Sequence, residues 1–216
     1  DATITPPAGT CKPCAHGHMK GASTRSVGYS LATSKPHTAH TQHTMQLVDC
    51  SPERHAGAIL DLLNDAILHS TALYEYPPRP PQSMDAWFAG KRQGGFPVIG
   101  LEHEGRLAGF ASYGSFRAYP AFKYSVEHSV YVHADYRGRG VGRTLLQALI
   151  ERARQHQRHL LVGAIDAGNA ASIALHTGLG FVHAGTLPQA GFKFGRWLDL
   201  AFYQLTLDTP EAPADG

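Results

Sequence analysis

The sequence predicts an α+β fold: one domain with seven strand-like segments and four helical ones. Three observations carry this. Apolar runs with strand periodicity, bounded by turn residues, recur at 45–49, 96–103, 106–113, 126–133, 160–165, 181–186 and 199–207. Apolar residues at helical spacing fill segments between them. One strand runs through three alternating glycines, Gly138, Gly140 and Gly142, into a strongly amphipathic helix.

Composition sets the bounds. The 216 residues suit one domain with a tail. Hydrophobic residues at 43% and charged residues at 17% are ordinary globular usage, which excludes wholesale disorder, collagen and coiled coil. Nineteen basic against 17 acidic side chains is too even a balance for a nucleic-acid binder. No run approaches the ~18 apolar residues of a membrane span, so no membrane partner is expected. The first residues lack the basic-then-apolar pattern of a signal peptide. Three cysteines do not make a disulfide framework, which points to a reducing, cytoplasmic compartment.

Residues 1–44 stand apart. They hold Lys12, Lys20, Arg25 and Lys35 against Asp1 alone, and few large apolar side chains. Such a segment cannot offset its chain entropy by burial, so a flexible tail is expected, and Gly17-His18-Met19 is compatible with a cloning remnant. Cys11, Cys14, His16 and His18 are soft ligands, but structural zinc sites clamp two separated segments, so no metal is expected. The domain is expected over 45–208, with 209–216 as a C-terminal tail.

Within the domain, Met45–Asp49 alternates as a strand. Ser51 then stands as N-cap and Pro52 at the first position of a helix whose Ile59, Leu62, Leu63, Ala66 and Ile67 share a face to about Ser70. The prolines of Tyr74–Pro81 forbid regular structure and make a stiff, aromatic-flanked loop. A short helix over Ser83–Arg92 follows. Glu104-Gly105 separates two strands as a hairpin turn. After the strand at 126–133 come a helix over 142–157, a strand at 160–165, a helix over 170–177 and two closing strands.

The glycine loop is the most informative stretch. Without Cβ atoms, its backbone N–H groups can turn inward and approach a ligand closely. The N-terminus of the following helix adds partial positive charge, which suits phosphate. Arg137, Arg139 and Arg143 reinforce this from the rim. A nucleotide P-loop needs Lys-Ser/Thr after its last glycine, and Arg143-Thr144 stands there instead. The dinucleotide fingerprint spaces its glycines differently and usually follows a domain's first strand, although Asp166 at the end of the next strand keeps that alternative in view.

Arg137-x-x-Gly140-x-Gly142 at a strand-to-helix turn resembles the coenzyme A pyrophosphate loop of the GCN5-related N-acetyltransferases (GNAT). Asn169–His176 followed by Gly180-Phe181 resembles that family's second coenzyme-contacting helix and next strand. Phe116-Arg117-Ala118-Tyr119, Ser125–Val132 and Gly191–Asp199 are similar to the phosphinothricin acetyltransferase branch. Val126-Glu127-His128-Ser129 and Phe194–Leu200 are most similar to enzymes acting on methionine sulfoximine and methionine sulfone. The similarity covers about residues 45–207. It implies the GNAT fold, with a mixed, mostly antiparallel seven-stranded sheet flanked by helices. It also implies acetyl-CoA as cosubstrate, a small amino acid as acceptor, and a homodimer. His176 takes a slot where many relatives carry Tyr, and Tyr119 stands where some phosphinothricin enzymes have a second cation, which favours neutral sulfone or sulfoximine heads.

The resemblance assigns roles. Val130, Tyr131, Val132, Arg137, Gly138, Arg139, Gly140, Val141, Gly142, Arg143 and Asn169 would hold the coenzyme. Glu127 would accept the ammonium proton through a water. A free Glu has a pKa of about 4.3, so burial would have to raise it. Main-chain N–H groups of Val130–Val132 would steady the oxyanion. His176, with a reference pKa of about 6.5, would protonate the departing thiolate. Phe116, Arg117, Ala118, Tyr119, Glu127, His128 and Ser129 would form the substrate side, with Arg117 on the carboxylate and Tyr74 and Tyr76 in an apolar wall. On residue type alone, His128 and His133 read as structural or solvated; Lys193 and Arg196 are further candidates for the substrate carboxylate, including from a dimer mate. The alternatives are a protein or peptide N-acetyltransferase and a non-catalytic coenzyme A sensor.

Overall fold

The computed structural model describes residues 44–215. The cluster Cys11, Cys14, His16 and His18, and the tail up to residue 43, lie outside them. The elements are β1 (Gln46–Asp49), α1 (Pro52–His69), α2 (Ser83–Gln93), β2 (Val98–His103), β3 (Arg106–Ser115), β4 (Ser125–Val132), α3 (Val141–Gln155), β5 (Leu160–Asp166), α4 (Ala170–Thr177), β6 (Val182–Lys193) and β7 (Arg196–Thr206). The seven strands form one sheet in the order β1-β2-β3-β4-β5-β7-β6. Every neighbouring pair is antiparallel except β4–β5, so the expected mixed, mostly antiparallel sheet is what forms.

Each sheet face has its own core. On one side α3 buries Val141, Leu145, Leu146, Leu149, Ile150 and Ala153 against Ala111, Val126 and Leu161. These are the positions that the helical period put on a single face. On the other side α1 and α2 bury Ile59, Leu62, Leu63, Met84 and Phe88 against Val98 and Phe110. A fully buried Leu contributes ~1.5–3 kcal/mol of transfer free energy, so α3 alone anchors strongly.

Two details differ from the sequence expectation. Ser51 occupies the N-cap position of α1 but makes no side-chain cap. Buried His55 instead turns back, and its Nδ1 accepts the Ser51 N–H at 2.9 Å. The second difference is at the C-terminal end. The expected strands stop at Thr186 and start at Asp199, whereas β6 and β7 run on to meet at a tight turn formed by Phe194 (φ 53°) and Gly195 (φ 72°). Leu187-Pro188-Gln189-Ala190-Gly191 breaks the strand period, and the structure absorbs it as a register shift between Leu187 and Gly191. Asp199 supports the irregular stretch, its Oδ1 accepting the Gln189 N–H at 2.8 Å.

Candidate active site

The site begins where two parallel strands part. β4 and β5 stay in register only from Ser125↔Leu160 to Glu127↔Val162. Beyond that they leave a cavity of about 580 Å³, lined by Ser129–Val132 of β4, Gly163–Asp166 of β5, the glycine loop, and α4. Hydrogen-bond directions alternate along a strand. The His133 N–H goes to Ala108 O on the β3 side, so the Tyr131 N–H points to β3 as well. The Val130 and Val132 N–H groups therefore point into the opening. Tyr131, expected to share that task, cannot. Its main chain belongs to the β3–β4 ladder, and its ring stacks on Phe110 at 5.2 Å between centroids.

The glycine loop borders this cavity. Gly138 (φ 74°) and Gly140 (φ 81°) are left-handed, a region that costs other residues ~1–2 kcal/mol. A Cβ at either would meet nothing within 4 Å, so both stand against open space. Gly142 has a different reason: it lies inside α3, where a Cβ would stand 3.4 Å from Leu175 of α4. Among the described residues no side chain caps α3, so its first-turn N–H groups and partial positive charge remain available to an anion. Gly138, Gly140, Val141, Gly142 and Arg143 all line the cavity. Arg137 does too, held by Asp65 at 3.2 Å and donating to Val132 O at 3.3 Å. Arg139 departs from expectation: it lies over the Tyr136 ring, 5.6 Å from its centroid, and is not part of the lining.

Asn169 and His176 bring α4 to the same cavity. Asn169 caps α4, its Oδ1 accepting the Ser172 N–H at 3.0 Å. His176 is buried, and its Nδ1 lies 2.7 Å from Ser172 O. A carbonyl only accepts, so Nδ1 carries the proton and Nε2 is bare. His128 Nε2 lies 2.9 Å from that atom, so the His128 proton is on Nε2 and points at His176. The rings stack at 5.1 Å with Phe181 against both. Burial depresses both histidines, and for His128 the neighbouring His176 adds to it, so both are neutral. Among the described residues, the buried His128 Nδ1 has no hydrogen-bond partner. His128 was expected among the substrate contacts. It instead faces α4, because strand alternation sends it to the side opposite Glu127.

Glu127, Ser129 and Tyr131 face α1 and α2. Glu127 is half-buried; desolvation raises its carboxyl pKa, and Arg117 partly opposes this. Arg117 is exposed, its guanidinium 4.2 Å from the Phe116 ring centroid and donating to Phe116 O at 2.9 Å. Phe116 packs edge-on to Phe122, whereas Ala118 and Tyr119 are exposed, Tyr119 at 74%. The segment 116–119 therefore forms a rim, not a buried wall.

Several residues of the site carry no local sequence signal. The proline-rich loop after α1 is fastened to the β6–β7 hairpin. Buried Lys193 donates to Ser70 O at 2.8 Å and Leu73 O at 2.6 Å. Tyr76 donates to Phe192 O at 2.6 Å, and Thr71 donates to buried Asp166. Tyr74 lies so close to Gly191 that a Cβ there would stand 3.1 Å from its ring. Lys193 thus clamps a loop instead of presenting a free cation. Within the loop Arg79 forks onto Glu75, and its main chain exchanges hydrogen bonds with Asn64. Cys50 is inert, its thiol pushed up to about 12 chiefly by burial. Among the described residues, no group of three or more His, Cys, Asp or Glu is placed to hold a metal ion, and no helix is long and apolar enough to cross a membrane.

The comparisons with known proteins agree with this geometry. The acetyltransferase (GNAT) family model matches residues 60–181. An L-methionine sulfoximine/L-methionine sulfone acetyltransferase of Pseudomonas paraeruginosa is 50% identical over 157 residues, covering 72% of this chain and 91% of its own length. A solved structure from Acinetobacter baylyi has 61% identity and a TM-score of 0.79, covering 80% of this chain and 98% of that one. A phosphinothricin acetyltransferase of Sinorhizobium meliloti, solved in complex with acetyl-CoA, has 31% identity and a TM-score of 0.75, covering 79% and 92%. The parted parallel strands, the left-handed glycine loop and these likenesses lead to one conclusion: the chain belongs to the GNAT family of acetyltransferases.

Proposed function

We propose that this enzyme moves the acetyl group of acetyl-CoA to the α-amino group of small amino acids of the methionine sulfone, methionine sulfoximine or phosphinothricin kind. The observation that carries this is the parting of β4 from β5, which sets the uncapped start of α3 and the Val130 and Val132 N–H groups around one cavity. The names of the relatives support the substrate class. The clamped loop over 70–81 favours a small acceptor over a peptide.

The glycine loop and the α3 N-terminus take the coenzyme diphosphate, with Arg137 and Arg143 beside it. Asn169, its Oδ1 engaged by α4, offers its amide NH₂ to the pantetheine arm. Glu127 takes the ammonium proton through a water, because an ammonium has no lone pair to attack with. The freed amine bonds to the thioester carbon while the C–S bond breaks, and the Val130 N–H steadies the oxyanion. His176, which lines the cavity, serves the departing thiolate. Once the His128 N–H lets go of the bare Nε2, that atom takes the second proton the amine sheds as the amide forms. The resulting imidazolium passes a proton to the thiolate, leaving His176 neutral again. Arg117 closes the rim by Glu127. The enzyme works as a homodimer in a reducing, cytoplasmic compartment, and no metal takes part. A thiol-release assay with acetyl-CoA and a panel of amino acids and peptides tests the reading. Release with methionine sulfone but not with peptides is expected, and no release with any amine overturns it.

A further inference from the structure

Lys91, near the end of α2, is used by nothing described so far. Its Nζ donates to Tyr113 O at 2.8 Å and lies 5.3 Å from the Trp87 ring centroid. Among the described residues, Gly114's own chain neighbours apart, that Nζ is also the one heavy atom within 4 Å of where a Gly114 Cβ would stand, at 3.9 Å. Gly114 is the register partner of Glu127. Cross-strand partners share a face, with Cβ atoms about 5 Å apart. An ammonium therefore stands on the same sheet face as Glu127, one strand away, beside a position with no side chain.

Charge separates Lys91 from its neighbours. Arg79 is neutralised by Glu75. Arg117 is exposed, turned onto its own Phe116, and is the cation that acts on Glu127. Lys91 has no carboxylate partner among the described residues, and two of its three N–H bonds are unspent. Burial, reinforced by Arg79, lowers its pKa to about 8, so a bound anion would relieve a standing electrostatic cost. An amino acid poised to attack has given up its ammonium proton and carries only its carboxylate charge. The face on which Glu127 waits thus has one spare positive charge, and the acceptor has one spare negative charge.

We propose that Lys91 anchors the α-carboxylate of the acceptor, its ammonium reaching over the space left by Gly114 while the α-amine is turned toward Glu127. This rests on the acetyltransfer reading above. It moves the anchor from Arg117 at the rim to a residue that is half-buried and fixed against Trp87.

The test compares the wild type, Lys91→Met and Lys91→Arg on two acceptors: L-methionine sulfone and its decarboxylated amine, 3-(methylsulfonyl)propan-1-amine. Thiol release is followed and thermal melting serves as the folding control. Lys91→Met is expected to raise KM for the amino acid about 10- to 100-fold, the range of one lost charge-assisted hydrogen bond. KM for acetyl-CoA and turnover of the decarboxylated amine stay near wild type, and Lys91→Arg recovers most of the loss. An active Lys91→Met enzyme with the wild-type preference for the acid over the amine overturns the anchor and leaves the transfer reading standing. Equal losses on both acceptors overturn it too, assigning Lys91 to the sulfone head. Wild-type silence toward every amine overturns the transfer reading itself.

Discussion

Glu127 meets two opposed demands. Desolvation raises its pKa, which brings it toward the working range of a base, and the same desolvation makes its charged form costly to the fold. The linkage has a definite sign. A carboxyl whose folded pKa lies above its unfolded one binds more protons when folded. Stability therefore falls as pH rises through the gap, and the deficit persists above it. Glu127→Gln is thus expected to lower kcat/KM by about 10²- to 10⁴-fold while its melting temperature at pH 8 equals or exceeds wild type. In the wild type, kcat/KM falls toward acid with a limb displaced upward from an ordinary glutamate. A variant that loses its fold along with its rate, or a wild-type limb at an unshifted glutamate value, would count against Glu127 as the base. At this scale the sequence was legible for residues whose reason is local. Gly138 and Gly140 announce a left-handed loop, and Asn169 announces a cap. It was silent on the partners of His176 and Lys193. His128 lies 48 positions from His176, and Leu73 lies 120 from Lys193, distances at which no spacing rule operates.

At the scale of elements, the glycine loop with α3 is one device. The loop's left-handed residues deliver the chain into an uncapped helix, so backbone angles and dipole act on the same spot. Gly140→Ala places a Cβ at φ 81°, at a cost of ~1–2 kcal/mol. For a domain of this size that lowers the melting temperature by a few degrees. KM for acetyl-CoA is expected to rise at least tenfold with little change in KM for the amino acid. Steady-state kinetics with each substrate varied separately would show it, and equal changes in both constants would argue against a coenzyme loop. The β6–β7 hairpin shows the opposite case for legibility. Its turn, Phe194-Gly195, lacks the usual Asn or Asp, and its bulge interrupts the strand period, so neither turn chemistry nor periodicity marks it. Only the register with β7 reveals one long ribbon.

At the scale of the whole molecule, two segments some 120 residues apart in sequence are tied together. Lys193→Met leaves the part-buried Ser70 and Leu73 carbonyls without that donor, at up to ~1–3 kcal/mol each. Faster proteolysis within 70–82 and a higher KM for the amino acid are expected, with KM for acetyl-CoA near wild type. Unchanged cleavage would show that the clamp is not what holds the loop. The same hairpin exposes Leu187 (53%), Phe192 (47%), Phe194 (57%) and Trp197 (58%), a run of apolar surface that the proposed second copy would cover. Light scattering is expected to give twice the chain mass, and Trp197→Glu to return it to one. A monomeric wild type would end that proposal.

β7 follows β6 in the chain yet lies between β5 and β6, so the last strand of the described residues is an interior one. While a nascent chain is leaving the ribosome, its glycine loop can be complete before Lys193 exists to draw the 70–73 segment into place. The contacts that hold 70–73 therefore form only once the hairpin has been made, and a chain cut short before it would lack that anchorage.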